Sequence, residues 1–476
     1  MRKLVTGTVC AALLPASALA AEPLRPDQQA FRTIYREMVE TDTSITTGSC
    51  TALANKIEVR LKAGGFPAEA ITRFAVPDHP AEGGLVVILP GASKTLKPML
   101  LLGHLDVVVA KREDWTRDPY TLIEENGYFY GRGTADMKAM DAIWTDMLIR
   151  FKQAGTKLGR TIKLALTCGE ETTTAFNGAR WLAENKPELI AAEFALNEGG
   201  SGRTDGRDPS AGGKVLAQSL HVGEKVVANF RIEAINPGGH ASAPVRDNAI
   251  YELADALVKV REHEFPLMLN DTTRAFFTTL GKTRSDDLGK AMAALVGNPV
   301  GSAAALAAEK VLNTDKSYHS MLRTTCVATL LDGGHANNAL PQRAGANLNC
   351  RIFPGVSDEA TRQDLIAAIG DPRVTVIKTD DRGPPGKAPP LDPKITGPAE
   401  TLVAKYYPGV PLVPAMSTGA TDGVYLAAIG IPSYGPPGLF SDPDGNGTHG
   451  LNERMSVIAV YKGRDLLTEL VKAYAQ

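Results

Sequence analysis

Past Ala20 the chain contains no apolar run long enough to cross a bilayer, which takes about 20 consecutive apolar residues. It also lacks a charge of dominant sign: 51 Lys and Arg stand against 53 Asp and Glu, for a net charge of −2. That balance removes the electrostatic argument for nucleic acid or an anionic membrane surface as a partner. There is no internal repeat. Cysteine is sparse, with 5 in 476 residues. What is present is the 43% hydrophobic content of an ordinary globular protein, in a chain longer than a usual single domain. Two domains are expected, with ample material for a core.

The N-terminus is distinct. Arg2 and Lys3 precede an apolar run from Leu4 to Ala20, which ends in the small-residue pattern Ser17-Ala18-Leu19-Ala20-Ala21. This is the layout of a secretory signal peptide with its cleavage site. An uncleaved anchor is the competing reading, but the run is short for a span. The expectation is a signal over residues 1–20, a mature chain from Ala21, and an exported product, periplasmic or secreted, with no membrane attachment after cleavage. Such a compartment permits disulfides. Cys326 and Cys350 lie on strand-like segments either side of a turn at Asn337-Asn338, so antiparallel pairing would set them face to face. Buried free thiols are the alternative.

Hydrophobic periodicity predicts helices between Asp27 and Ala63, interrupted by a Thr/Ser/Gly-rich loop at Thr41–Ser49. Strands follow at Gly84–Pro90 and Pro98–Val109, a hairpin turn at Asn126-Gly127, and a helix from Met137 to Gln153. A strand at 161–168, a helix at 175–185 and a strand at 193–197 complete an alternating β/α pattern, which favours a mostly parallel sheet covered by helices. After the polar loop Gly200–Gly213 the texture changes. A half-exposed strand is predicted over Val222–Ala234, a turn at Asn236–His240 and a helix over Asn248–His263. Strands are expected at 323–331, 344–353 and 373–378, with a helix at 358–369 and an Ala-rich helical insertion around 287–310. Arg382–Pro390 reads as a linker. From about Leu391 the first texture returns, with a helix at 396–406 and strands near 412–416 and 431–434. The fold class is therefore α/β: a helix-covered, mostly parallel sheet domain over 21–221 and 385–476, interrupted by a smaller α+β domain over 222–384.

Three apolar runs of the first domain end in acidic or histidine side chains. They are Pro98 to His104-Leu-Asp106, Thr161 to Glu170-Glu171, and Glu193 to Glu198. Ligands in open α/β sheets sit outside the carboxyl ends of the strands, and His, Asp and Glu are the donors a divalent metal takes there. In Gly103-His-Leu-Asp106 the acid stands where it can reach the far ring nitrogen of a metal-binding His104 and raise its basicity. Asp136 follows a glycine turn and precedes a helix, so it is either a helix cap or a carboxylate bridging two metals. Adjacent Glu170 and Glu171 point in opposite directions on a strand. Their mutual repulsion is relieved by a cation, which leaves one free to act as a base; a solvated pair on a loop is the alternative. Glu198 reads as a ligand or a turn residue. His449, between glycines, reads as a ligand on a loop that allows close backbone approach.

Jointly and in order, Gly103-His-Leu-Asp106, Gly131-Arg-Gly-x-x-Asp136-Met-Lys138, Glu170-Glu171, Asn197-Glu198-Gly-Gly, Gly239-His240-Ala-Ser, Asn338-Ala-Leu-Pro341, Thr418-Gly-Ala-Thr-Asp422-Gly and His449 carry a resemblance across nearly all of the mature chain. The chain resembles the co-catalytic metallopeptidase family of aminoacylase, succinyl-diaminopimelate desuccinylase, acetylornithine deacetylase, carnosinase and glutamate carboxypeptidase. The resemblance implies two divalent metal ions, zinc first and cobalt or manganese as substitutes. His104 and Glu198 would bind one ion, Glu171 and His449 the other, and Asp136 would bridge them. Glu170 would be the general base, Asp106 would buttress His104, and the Asp136–Met137 peptide would be cis. The second domain would be a lid and dimerisation domain, making a homodimer one expectation. From it His240 would reach the scissile carbonyl, in many members across the subunit interface. Asn338, Arg351 and the Gly419 backbone would hold the substrate carboxylate or the neighbouring amide. Asn349 departs from the family, which often has Asp two residues before the Arg at position 351.

The function expected is an exported di-zinc amide hydrolase, foremost a carboxypeptidase or dipeptidase acting on a small peptide. An N-acyl-amino-acid deacylase uses the same site and is the alternative. A non-catalytic binding protein that kept the fold is the third reading; it would have lost Glu170 or a ligand, and none is missing.

Overall fold

The computed structural model describes residues 23–172, 176–206, 213–379 and 388–476. The N-terminal signal-like segment, most of the Arg382–Pro390 linker and part of the Gly200–Gly213 loop lie outside the described residues. Ten strands build one large sheet. From one edge they run Ile71–Val76, His79–Leu89, Ile162–Thr167, Met99–His104, Phe194–Leu196, Ser433–Gly435, Val215–Glu224, Gly202–Thr204 and Phe440–Ser441, with Leu412–Ser417 also beside Val215–Glu224. The pairings at the centre of the sheet, from Ile162–Thr167 to Ser433–Gly435, are parallel, and Leu412–Ser417 also runs parallel to Val215–Glu224.

The apolar runs explain why this sheet is covered on both faces. Met99–His104 and Ile162–Thr167 are buried at every residue. Side chains alternate across a strand, and the cores alternate with them. Met99 and Leu101 join a cluster with helices Pro26–Val39, Cys50–Ala63, Lys138–Gln153, Pro393–Tyr406 and Val457–Tyr474. Leu100 and Leu102 join another, with helices Gly178–Asn185, Pro187–Ile190 and Gly423–Ala428. A buried parallel strand therefore needs no polar face, in keeping with the unbroken hydrophobicity of these runs.

A second, four-stranded antiparallel sheet has the order Thr325–Gly333, Arg343–Ile352, Val226–Ile235, Val374–Lys378. Helices Ala249–Glu262 and Asp358–Ile369 close its core. The single strand expected over Val222–Ala234 is two strands in different sheets, and the chain passes from one sheet to the other at Lys225. Gly223, with φ of 81°, and the charged Glu224-Lys225 stand at the break, but which sheet each half joins is decided by burial in two separate cores. The Ala-rich insertion begins earlier than its composition suggests. Asp271–Lys282, Asp287–Gly297, Ala303–Leu312 and Lys316–Met321 share their own core, and the first packs on Leu412–Ser417 of the large sheet. The strand Ile71–Val76 and the terminal helix Val457–Tyr474 have no counterpart in the sequence reading.

Cys326 and Cys350 are register partners on adjacent antiparallel strands and are bonded. A second disulfide, Cys50–Cys168, closes a sequence separation of 118. Nothing local in the sequence pairs these two, because only the tertiary fold brings their segments together.

Arg464, on the terminal helix, is fully buried. Its guanidinium donates to Asp146 at 2.9 Å and to Asp27 at 2.7 Å, joining three helices of one layer. Asp146 is itself only 3% exposed at its side chain, whereas Asp27 reaches solvent at 37%. Arg464→Ala is therefore expected to lower unfolding stability by about 2–3 kcal/mol, because it empties a buried site and leaves Asp146 with the partly exposed Arg150, which donates to it at 2.9 Å. Asp27→Asn is expected to cost far less. Denaturant unfolding of the two variants checks the order.

Candidate metal centre

The polar ends of the three buried strands converge. His104 closes Met99–His104, Glu170 and Glu171 follow Ile162–Thr167, and Glu198 follows Phe194–Leu196. Asp136 comes in from the turn before helix Lys138–Gln153, and its peptide bond to Met137 is cis. His449 arrives on the loop after the short helix Gly445–Gly447, in a left-handed conformation with φ of 60°. The two oxygens of Asp136 face different histidines. Oδ1 lies 3.2 Å from His104 Nε2, and Oδ2 lies 3.2 Å from His449 Nε2. Beyond them, Glu198 is 3.8 Å from His104 and Glu171 is 2.8 Å from His449. Asp136 thus stands between His104 with Glu198 on one side and His449 with Glu171 on the other.

The electrostatics follow from crowding. Burial opposes a charge on His104, yet Glu198 and then Asp136 hold its imidazole well above the usual range. Asp136, followed by Glu171, pushes His449 up to about 10. Burial and then Glu198 raise Glu170 far above the ordinary carboxylate range. A site of this kind favours cations, since the acids repel one another in a medium that screens poorly. The donor chemistry fits divalent metal as well. Donor atoms of His104, Asp136 and Glu171 lie within 4.8 Å of one another, as do those of His104, Glu170 and Glu198. Glu198 Oε1 is buried with no hydrogen-bond partner among the described residues, an acceptor that a cation would satisfy.

Backbone contacts hold the cluster. His104 Nδ1 is 3.1 Å from the backbone carbonyl of Asp106 and 3.8 Å from its carboxylate. Donation to that carbonyl leaves Nε2 facing the cluster. The expected carboxylate buttress is thus a backbone one. The Asp106 carboxylate instead reaches to the next strand end, where it accepts N–H donors from Gly169 at 2.8 Å and Glu171 at 3.0 Å. Past the strand end the chain turns, so the strand rule no longer places residues 104 and 106 on one face.

Two acids escaped the sequence reading. Glu453 is fully buried, pairs with Arg132 at 2.7 Å, and accepts the N–H groups of Gly133, Ala135 and Asp136. It thereby cages the turn carrying Asp136. Asp422 accepts from Asn177 at 2.7 Å and Thr167 at 3.3 Å. Asp422 stands in the Thr418–Gly423 segment and Glu453 four residues after His449, but no local spacing announces a carboxylate spent on backbone or side-chain donors.

A cleft of about 690 Å³ opens beside Glu170 and Glu171. Asn229, Asn349 and Arg351 of the small sheet line it, as do Phe176, Trp181 and Tyr425. Asn349 still accepts from Arg351 Nε, at 3.2 Å. Gly419 lies one residue before the lining residue Ala420, and its N–H donates to Ser417 Oγ at 3.1 Å. His240 and Asn338 are not among the lining residues. They sit together and exposed, where Gly239–His240 pairs with Ala339–Leu340 and Ala241 N–H donates to the Asn338 carbonyl at 3.0 Å.

A family model described as peptidase family M20/M25/M40 matches residues 100–473. A probable carboxypeptidase S-like 2 of Dictyostelium discoideum is 27% identical over 82% of this chain and 74% of its own. The N-fatty-acyl-amino acid synthase/hydrolase PM20D1 of Mus musculus is 26% identical over 86% and 80%, and human aminoacylase-1 is 26% identical over 83% and 85%. Among solved structures, an M20 family metallo-carboxypeptidase from Sulfolobus solfataricus has a TM-score of 0.67 at 17% identity, covering 95% of this chain and 100% of that one. A Bacillus subtilis protein described as a dinuclear metal binding peptidase scores 0.56 at 13% identity, covering 94% and 98%. With the family model matching over residues 100–473, most of its length, the chain belongs to peptidase family M20/M25/M40.

Proposed function

We propose that the protein is an exported, two-metal amide hydrolase that cleaves a peptide bond next to a free carboxylate, as a carboxypeptidase or dipeptidase. Membership of the family makes it a metal-dependent hydrolase of C–N amide bonds. The observation that carries the two-metal reading is the placement of Asp136 between His104 and His449, one oxygen toward each. His104 and Glu198 would hold one cation, His449 and Glu171 the other. Zinc suits this nitrogen and oxygen donor set. When bound, such a pair of cations lowers the pKa of a shared water and polarises the scissile carbonyl.

The chain's own residues do the rest. Glu170 takes the proton of the attacking water and returns it to the leaving nitrogen. Arg351, in the cleft with Glu170, pairs with the substrate carboxylate, its Nε already oriented by Asn349. His240 stabilises the oxyanion. Because it is exposed and outside this chain's cleft, it is proposed to act on the site of a second copy. The strand Thr325–Gly333 supports that arrangement. Among the described residues it pairs on one side only, and it exposes Val327, Leu330 and Leu331 at 60%, 72% and 71%. An edge of this kind is a template for strand pairing.

The deacylase reading is supported by the aminoacylase and fatty-acyl relatives and by the aromatic wall of the cleft. Release assays with dipeptides, longer peptides and N-acyl amino acids separate the two. Turnover of acyl amino acids alone would overturn the peptidase reading.

Glu170→Gln is expected to lower kcat by roughly 10²–10⁴-fold while elemental analysis still finds two metal equivalents. Chelation of the native enzyme should abolish activity, and added zinc should restore it. A Glu170→Gln enzyme with full activity would remove Glu170 from the mechanism. Sedimentation should give a dimer, and mixing Glu170→Gln with His240→Ala subunits should recover part of the lost activity. A monomer with full activity would refute the shared site.

A further inference from the structure

Cys50 and Cys168 are bonded and buried, at 1% and 2% exposure, and the hydrolytic chemistry uses neither. Their placement relates them to the metal centre. Cys168 leaves strand Ile162–Thr167 and is followed by Gly169, Glu170 and Glu171. Gly169 has a φ of +95°, and a side chain there would meet the Phe176 carbonyl at 2.1 Å. Gly169 is thus packed against backbone in a conformation that favours glycine, and it links Cys168 directly to the ligand and base.

Cys50, on the other side of the bond, opens a helix that cannot easily move. Ser49 caps Cys50–Ala63, and Thr51 Oγ1 donates to the Pro80 carbonyl at 2.7 Å and accepts from Gly83 N–H at 2.8 Å. Leu53, Ala54, Ile57 and Leu61 anchor the same helix in the main core. The bonded sulfurs also lie within 4.8 Å of an Asp106 carboxylate oxygen, the group that binds the Gly169 and Glu171 amides.

The metal-free protein faces a physical problem at this point. Asp136, Glu170, Glu171 and Glu198 converge in a buried site with two histidines among them to offset four carboxyls, so the acids crowd one another until metal enters. Repulsion would drive the whole Cys168–Glu171 segment outward, away from the cluster. Hydrogen bonds oppose that motion, and the bond to Cys50 blocks it at residue 168.

We propose that the Cys50–Cys168 disulfide is a positioning element of the metal centre, which keeps the Glu170–Glu171 segment in ligand geometry before metal arrives and so sets metal affinity. The proposal rests on the two-metal reading for the identity of the ligands. Cys326–Cys350 provides the internal control, because it joins two strands already paired in register.

The test compares wild-type protein with C50A/C168A and C326A/C350A. Amide exchange of residues 169–171 is measured on the metal-free proteins. Zinc affinity is measured by competition with a chromophoric chelator, and unfolding midpoints are recorded alongside. C50A/C168A is expected to lose protection at 169–171 and to bind zinc roughly 10–100-fold more weakly, the usual cost of losing support behind a ligand. Excess zinc should bring its kcat back. C326A/C350A should lose stability and keep its zinc affinity. Unchanged protection and affinity in folded C50A/C168A would overturn the proposal, as would an equal loss in both variants or two free thiols in the native wild type. If C50A/C168A fails to fold, C50V/C168A, which refills the buried volume, is read by the same criteria. A wild-type protein that binds no zinc would defeat the metal reading instead, while exchange in the metal-free proteins still decides on the tether.

Discussion

The rest of this structure answers to one constraint: acids of like charge are gathered, largely out of water, where three parallel strands end. Asp136, Glu170, Glu171 and Glu198 surround two histidines over a few ångströms. In a poorly screening interior that crowding is costly. It persists only if the backbone that carries the acids is held from behind and cations can enter from the front.

The support from behind is built from further carboxylates. Asp106 binds the amides at Gly169 and Glu171, and Glu453 binds those at Gly133, Ala135 and Asp136. Each turns a flexible turn into a rigid one by satisfying backbone donors that would otherwise be stranded. Neither group needs to touch metal to matter. The strands beneath are immobile for a different reason, being buried on both faces between two helical layers.

The small sheet enters this scheme through the cleft. The chain leaves the large sheet at Lys225, whose ammonium is buried among Ser320 and Thr325 oxygens and is pushed down to about 7, first by burial and then by Arg351. Arg351, Asn229 and Asn349 therefore belong to an element anchored close to the crossover while lining the same cavity as Glu170. His240 and Asn338 lie elsewhere on that element, exposed. One element thus presents two sets of polar groups in two directions, Arg351 with Asn349 toward the cleft and His240 with Asn338 toward solvent.

What the sequence by itself determined was the chemistry and its order. Unbroken apolar runs ending in His104, Glu170-Glu171 and Glu198 forced buried strands with polar tips, because strand burial and ligand position are both local consequences of pattern. The helix-covered sheet and the separate α+β texture were legible for the same reason. Only the tertiary structure decided the groups that act through other segments. Asp106 turns away from His104 because the chain bends after the strand. Glu453 and Asp422 spend their charge on residues hundreds of positions away, Cys50 finds Cys168 across a separation of 118, and Lys225 splits one apparent strand between two sheets. Such contacts depend on which elements pack together, and no spacing along the chain encodes that.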